Sequence, residues 1–138
     1  MNKAERIEFV ISEFRKADIT IDENQADKFV RLCDFMVEYN ENVNLTSITE
    51  FSEVVVKHFV DSVLPFTMVD IPQGSSFIDV GSGAGFPAIP LLICRPDLKG
   101  TLCDSLNKRC VYLEKACELI GVKSEIIHAR SEELGRKK

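Results

Sequence analysis

The feature that most constrains this chain is a glycine-rich loop set between a short apolar run and a helix. The run is Phe77 to Val80, and Gly81, Ser82, Gly83, Ala84 and Gly85 follow it directly. A short apolar run with turn signals on both sides is typical of a buried parallel strand. Glycines let the backbone turn sharply and come close to a ligand that a Cβ would push away. The sequence therefore predicts a strand, a ligand-binding loop and a helix.

The segments after the loop continue this alternation. We predict a helix over 87–94, a strand over 101–104, a helix over 107–120, a strand over 124–128 and a helix start at Ser131. In the helix over 107–120 we expect Leu119 among the inward side chains and Gly121 as the C-cap. Right-handed crossovers would make the three strands neighbours in one parallel sheet.

Three helices are predicted before the loop. Ile7, Val10, Ile11 and Phe14 form one apolar stripe at helical spacing. Asp22 and Gln25 have the spacing of a capping box at the start of the second helix. A third helix is expected from about Thr49, with its pattern broken at Pro65.

The predicted fold class is therefore α/β, with N-terminal helices followed by the first half of a Rossmann-like parallel sheet. We divide the chain into a helical segment over 1–76 that packs on the sheet and a ligand-binding β-α-β-α-β half over 77–138. Both belong to one compact unit, and the C-terminal half of the fold is expected to be missing.

Composition narrows the function classes. The formal net charge is −5, with −7 over residues 1–76 and +2 over 77–138, which argues against a large nucleic-acid footprint. The five cysteines include no C-x-x-C pair, and with only two histidines this favours reduced thiols over a metal site. No apolar run reaches the ~20 residues of a membrane span. We therefore expect a cytoplasmic protein without a metal or a membrane partner.

The pattern around the loop indicates the ligand. A dinucleotide fingerprint would place its third glycine at position 86, but the third glycine is Gly85 and position 86 is Phe86. Asp79 stands two residues before Gly81, which gives D-x-G-x-G-x-G. This pattern suits a ligand with no pyrophosphate and a cationic amino-acid tail, as in S-adenosyl-L-methionine. Asp104, 19 residues after Gly85, ends the next strand, where a carboxylate can accept hydrogen bonds from both ribose hydroxyls.

Five stretches resemble one particular family, the small-subunit ribosomal RNA guanine-N7 methyltransferases, also called glucose-inhibited division protein B. They run in the family's order along nearly the whole chain: Asn40 to Thr46, Lys57 to Ser62, Phe77 to Pro90, Asp104 to Arg109, and Arg130 to Glu133. The glycine-rich loop is shared by many methyltransferases, whereas Gly85-Phe86-Pro87 and the Asn-Leu-Thr and His-x-x-Asp-Ser stretches are more specific.

The resemblance implies that the predicted sheet is the first half of a class I methyltransferase fold. It also implies roles for particular residues. Gly81 and Phe86 would border the methionine and adenosine parts of the cofactor. Asp104, Ser105 and Leu106 would line the ribose and adenine, and Ser131 with Glu132 the adenine edge. The family usually has alanine at Ser131 and tends to have glycine at Ala88. The implied partner is ribosomal RNA of the small subunit (16S).

Other residues have two interpretations each. His58 and Asp61, one helical turn apart, would either position substrate or lock a helix to the sheet, and we weigh the two evenly. Asn42 and Asn44 would hold a base or satisfy local backbone groups. Basic residues, namely Lys108, Arg109 and Arg130, are candidates for phosphate contacts. No general base is expected, because guanine N7 offers a lone pair and carries no proton.

Three functions from different classes stay open. The specific stretches favour an rRNA guanine-N7 methyltransferase, and the net charge of −5 favours a methyltransferase for a small molecule. A non-catalytic cofactor-binding module is favoured by a three-stranded sheet whose third strand would have a bare edge, open to pairing with a second copy. Because family members continue for several more strands and helices, we expect this chain alone to be inactive.

Overall fold

The computed structural model of the chain describes residues 1–129, so the predicted helix start at Ser131 and the candidates Arg130 and Glu132 lie outside the described residues. The elements follow the predicted order of helices and then alternating strands and helices. Their bounds are α1 Lys3–Lys16, α2 Glu23–Tyr39, α3 Phe51–Glu53, a π-helical segment Val54–Val60, α4 Asp61–Thr67, β1 Ser76–Val80, α5 Ala88–Cys94, β2 Lys99–Asp104, α6 Asn107–Ile120 and β3 Ser124–His128.

The three strands form one parallel sheet in the order β1-β2-β3. Asp79 is in register with Leu102, and Asp104 with His128. Successive crossovers in one direction place α5 and α6 on the same face of the sheet. On the opposite face of β1, Ile78 is 63% and Val80 52% exposed. This arrangement confirms the predicted α/β fold class, a partial Rossmann-like methyltransferase sheet preceded by helices.

Local signals fixed two helix ends as predicted. The Asp22 carboxylate accepts a hydrogen bond from the Gln25 backbone N–H, and the Gln25 side chain accepts one from the Asp22 N–H, which completes the capping box of α2. Gly121 ends α6 with a φ of 69° in the left-handed region that glycine adopts without cost. Asn2 and Glu5 form a second capping box at the start of α1, for which we make no prediction from the sequence.

Three expectations were wrong in detail. The third helical segment begins at Phe51, after an N-cap at Glu50, rather than near Thr49. Pro65 lies inside α4, which ends at Thr67, so the helix stops two residues after the proline and not at it. Leu119 is exposed, since α6 turns toward the sheet the stripe that contains Leu113, Ala116 and Ile120.

One hydrophobic core connects the N-terminal helices with the sheet. Phe29 lies at its centre, with ring centroids 4.9 Å from both Phe14 and Phe59. Phe35 of α2 stacks on Tyr112 of α6 at 5.8 Å. Burying one such ring fully contributes roughly 1.5–3 kcal/mol. The helices are therefore held firmly against the elements that carry the glycine-rich loop.

Candidate functional site

The glycine-rich loop leaves β1 and turns directly onto the end of β2. The N–H groups of Gly81 and Ser82 both donate to the Cys103 carbonyl, at 2.8 and 2.9 Å. Gly81, Gly83 and Gly85 all have positive φ, at 74°, 57° and 95°. Those values are costly for any residue with a Cβ, so the glycines at these positions set the path of the loop.

Gly85 differs from the other two in its surroundings. A Cβ at Gly85 would lie 2.5 Å from Ile89 Cδ1 and 3.2 Å from Leu113 Cδ2, whereas a Cβ at Gly81 would meet nothing within 4 Å. Gly85 therefore allows the loop to pack against α5 and α6. Gly81 keeps its side of the loop open, as a backbone that approaches a ligand requires.

Asp104 ends β2, adjacent to β1, as predicted, but its carboxylate is not free. Its Oδ2 accepts the Gly83 N–H at 2.9 Å, its Oδ1 accepts the Leu106 N–H at 2.9 Å, and the residue is only 2% exposed. Arg109 Nη1 lies 3.9 Å from Oδ2. Asp104 thus holds the glycine-rich loop in place through its hydrogen bond with the Gly83 N–H. A ribose hydroxyl would have to share this carboxylate with the Gly83 amide or replace it.

Asp79 is in the opposite situation. Its Oδ2 is buried and has no hydrogen-bond partner among the described residues. Burial raises the pKa of this carboxyl, and hydrogen bonding by Ser82 and the Ala88 backbone lowers it by less. An anionic oxygen without a partner costs free energy unless a cation or donor reaches it. Asp79 is therefore the carboxylate of the site that is best suited to a positively charged group.

Leu106 and Ser105 follow Asp104 at the mouth of the site. Leu106 is 51% exposed, which leaves an apolar side chain uncovered beside a polar loop. Ser105 is exposed as well, and its carbonyl lies 2.9 Å from His128 Nε2. An exposed leucine beside the loop offers a flat aromatic ring an apolar contact.

Phe86 connects the loop with the N-terminal helices. The His58 ring stacks on it, with centroids 4.6 Å apart and planes inclined by 16°. His58 Nε2 is 2.7 Å from Thr46 Oγ1, so the hydrogen bond of this ring goes to Thr46 rather than to Asp61. The contact that ties this helical segment to its neighbours is therefore His58–Thr46, and not the His58–Asp61 contact of the structural interpretation. Burial lowers the pKa of His58, and the Asp61 carboxylate partly opposes this.

The asparagines divide into two groups. Asn40, to which we had assigned no role, accepts the N–H groups of Leu45 and Thr46 on its Oδ1, at 2.8 and 3.0 Å. Asn42 and Asn44 are exposed. No spacing in the sequence links positions 40, 46, 58 and 86. The contacts among these residues could therefore not be predicted without the folded structure.

S-adenosylmethionine fits the hydrogen-bond acceptors and the open backbone that these residues provide. Asp79 supplies a buried acceptor for a cationic amino group, and the loop supplies backbone that a Cβ does not block. A carboxylate has about four lone-pair positions, so Asp104 retains acceptor capacity beyond the two amides that it holds.

Within residues 1–129, no group of three or more His, Cys, Asp and Glu side chains is arranged to hold a metal ion. Within the same residues, no helix has the length and apolar character needed to cross a membrane.

The chain forms a parallel β-α-β-α-β unit with a glycine-rich loop at the carboxyl ends of β1 and β2. Asp79 lies on β1 and Asp104 on β2. This arrangement is that of a class I methyltransferase half-fold. Comparison with known proteins agrees. Residues 25–138 match the family model GidB, described as rRNA small subunit methyltransferase G. The chain belongs to this family.

Several relatives carry the name ribosomal RNA small subunit methyltransferase G. The protein of Bacillus subtilis is 43% identical over 133 residues, which are 96% of this chain and 56% of the relative. That of Clostridium perfringens is 44% identical over 117 residues, or 84% of this chain and 49% of the relative. The chain thus spans about half the length of the curated relatives it matches.

Proposed function

We propose that this chain is the cofactor-binding part of an S-adenosylmethionine-dependent enzyme that methylates guanine N7 in 16S ribosomal RNA. The observation that supports it most is the unpartnered Asp79 oxygen beside an open glycine loop, in a member of this methyltransferase family. The site of action would be the cytoplasm, where small subunits are assembled.

Different residues of the site would hold different parts of the cofactor. Asp79 would accept a hydrogen bond from the ammonium of the methionine part, and Asp104 would accept hydrogen bonds from the ribose hydroxyls. Leu106 would pack on the adenine. The remaining proposed contacts are Gly81, Ser82, Gly83, Gly85, Phe86 and Ser105, together with Ser131 and Glu132. When bound, the cofactor supplies an electrophilic methyl group on a sulfonium.

The protein's contribution to the transfer would be positioning and electrostatics. Guanine N7 has a lone pair and no proton, so no side chain needs to remove one before attack. Placing the acceptor in line can lower the barrier by about 7–11 kcal/mol in favourable cases. We assign substrate-side positioning to Asn44, His58, Asp61 and Arg130. The exposure of Asn44 is compatible with contact to a base.

Residues 1–138 alone would have little activity. The acceptor pocket of an open α/β enzyme normally draws on loops from strands on both sides of the switch point. The relatives are about twice as long as the matched region, and the added length would provide those loops. Self-association through the exposed β1 face or the β3 edge is a further proposal.

The experiment is radiolabelled methyl transfer from S-adenosylmethionine to purified small subunits that lack the modification, followed by mass mapping of the rRNA. The complete protein that contains these residues should label one guanine at N7, and residues 1–138 should label it at a rate close to background. Labelling at another atom or only of proteins would contradict the proposal. Comparable turnover by residues 1–138 would contradict the claim of inactivity.

A methyltransferase for a small molecule is the second candidate, because the net charge of −5 does not favour a polyanion. The same assay separates the two. Methyl transfer to a small-molecule extract with none to small subunits would favour the second candidate.

A further inference from the structure

The His58 ring joins two parts of the molecule that are distant in sequence. One side stacks on Phe86 beside the glycine-rich loop, at 4.6 Å between centroids. Its Nε2 lies 2.7 Å from Thr46 Oγ1, and the Thr46 N–H donates to Asn40 Oδ1 at 3.0 Å. A continuous line of contacts therefore runs from the segment 40–46 through His58 to the loop.

The π-helical geometry explains how His58 reaches this position. Four side chains of the segment are buried, namely Val54, Val55, Phe59 and Val60, while His58 remains half-buried between them. The wider turn of a π-helix allows both apolar pairs to face the core and still directs His58 at Phe86. Such turns occur frequently at functional sites.

Packing alone does not call for a histidine here. Phe59 already meets the Phe86 ring edge-on, with centroids 5.9 Å apart. The imidazole adds a flat surface for Phe86 and one polar atom for Thr46. These two contacts are made by different parts of the ring, so the hydrogen bond can be removed without removing the stacking.

We infer that His58 is a positioning residue with two separable effects. Its ring fixes Phe86, and through it the cofactor loop. Its Nε2 fixes the segment 40–46, which contains the exposed Asn44 to which substrate-side positioning is assigned above. The inference rests on the proposed function. It extends that function by assigning cofactor binding to the ring face of His58 and acceptor binding to its Nε2.

Four variants of the complete protein test the division. His58→Phe keeps a flat ring for Phe86 and removes the hydrogen bond to Thr46, whereas His58→Ala removes both. Thr46→Val removes the hydroxyl with little change in shape, and it also removes the hydrogen bond that Oγ1 accepts from the Ile48 N–H at 3.0 Å. Lys57→Ala is the matched control, because Lys57 is exposed on the same π-helical segment and its one ion pair within residues 1–129 is with Glu53 at the end of α3.

Two quantities are measured for each variant: the Kd of S-adenosylmethionine by calorimetry, and the KM for small subunits in the methyl-transfer assay. His58→Ala should raise the Kd about two- to tenfold, the value of one aromatic pair. His58→Phe should leave the Kd within about twofold but raise the KM about two- to tenfold, the value of one neutral hydrogen bond. Thr46→Val, which also loses the Ile48 N–H bond, should leave the Kd within about twofold and raise the KM at least as much as His58→Phe does. Lys57→Ala should change neither.

The division is wrong if His58→Phe raises the Kd as much as His58→Ala, or if it leaves the KM unchanged. Parallel changes in Kd, KM and melting temperature in all three site variants would indicate a purely structural histidine, and they too would overturn the inference. Absence of cofactor binding in the unmodified protein would instead contradict the proposed function, so the two failures are distinguishable.

Discussion

Replacing Asp104 by asparagine tests the centre of the proposed site with almost no change in shape. The carboxylate accepts the N–H groups of Gly83 and Leu106, both at 2.9 Å, in a position that is 2% exposed. An asparagine amide has one oxygen and one NH2 group. One of the two backbone N–H groups would therefore face a donor instead of an acceptor.

The magnitude follows from the bonds that are lost. A hydrogen bond to a charged group contributes about 1.5–3 kcal/mol, so Asp104→Asn should lower the free energy of unfolding by at least that much. For a chain of this length the melting temperature should fall by roughly 6–12 °C. If a ribose also uses this carboxylate, the affinity for S-adenosylmethionine should fall about ten- to a hundredfold.

Calorimetric titration and thermal denaturation measure the two effects, and Asp97→Asn is the matched control. Asp97 also accepts a backbone N–H, that of Gly74 at 3.0 Å, and it pairs with Arg95 at 2.9 Å near the opposite end of β2. The control should lose stability without losing cofactor affinity. Unchanged affinity in Asp104→Asn would refute the assignment of Asp104 to the ribose. If residues 1–138 bind no cofactor, the titration requires the complete protein.

Other substitutions have equally defined outcomes. Asp79→Asn should raise the melting temperature at neutral pH but weaken cofactor binding in calorimetry, since it removes the charge of a carboxylate whose Oδ2 is buried with no partner among the described residues. Gly85→Ala should lower the free energy of unfolding by about 2–5 kcal/mol in denaturation, because backbone strain adds to the clash with Ile89. Gly74→Ala, at a φ of 78° with nothing within 4 Å, should cost about 1–2 kcal/mol. If residues 1–138 self-associate through β1, Ile78→Lys should shift sedimentation toward monomer.

The fold was predictable where local signals agree with the tertiary structure. The bounds of α6 and β3 match the prediction, because a glycine C-cap and an isolated apolar run mark them without reference to distant residues. The third helical segment was less predictable. A π-helix shifts the spacing of buried side chains, and a search for α-helical spacing does not detect the shift.

The site was predictable in position but not in its contacts. Asp79 and Asp104 lie on adjacent parallel strands as the motif spacing indicates. The state of each carboxylate depends on the loop conformation, which the spacing does not specify. The line of contacts from Asn40 to Phe86 joins segments that are 46 residues apart, and each contact depends on packing against the core.

The two carboxylates make different demands on the fold. Asp104 accepts the N–H groups of Gly83 and Leu106, and these hydrogen bonds offset the cost of burying its charge. Asp79 Oδ2 has no hydrogen-bond partner among the described residues, and burial raises the pKa of Asp79, so the folded chain binds this proton more tightly than the unfolded chain does. The free energy of unfolding therefore falls as the pH rises from the ordinary range of an aspartate through the raised pKa. A cation bound beside Asp79 would offset this cost at neutral pH. The difference between the two carboxylates therefore supports the proposal that the cationic end of the cofactor binds at Asp79, while Asp104 holds Gly83 of the glycine-rich loop.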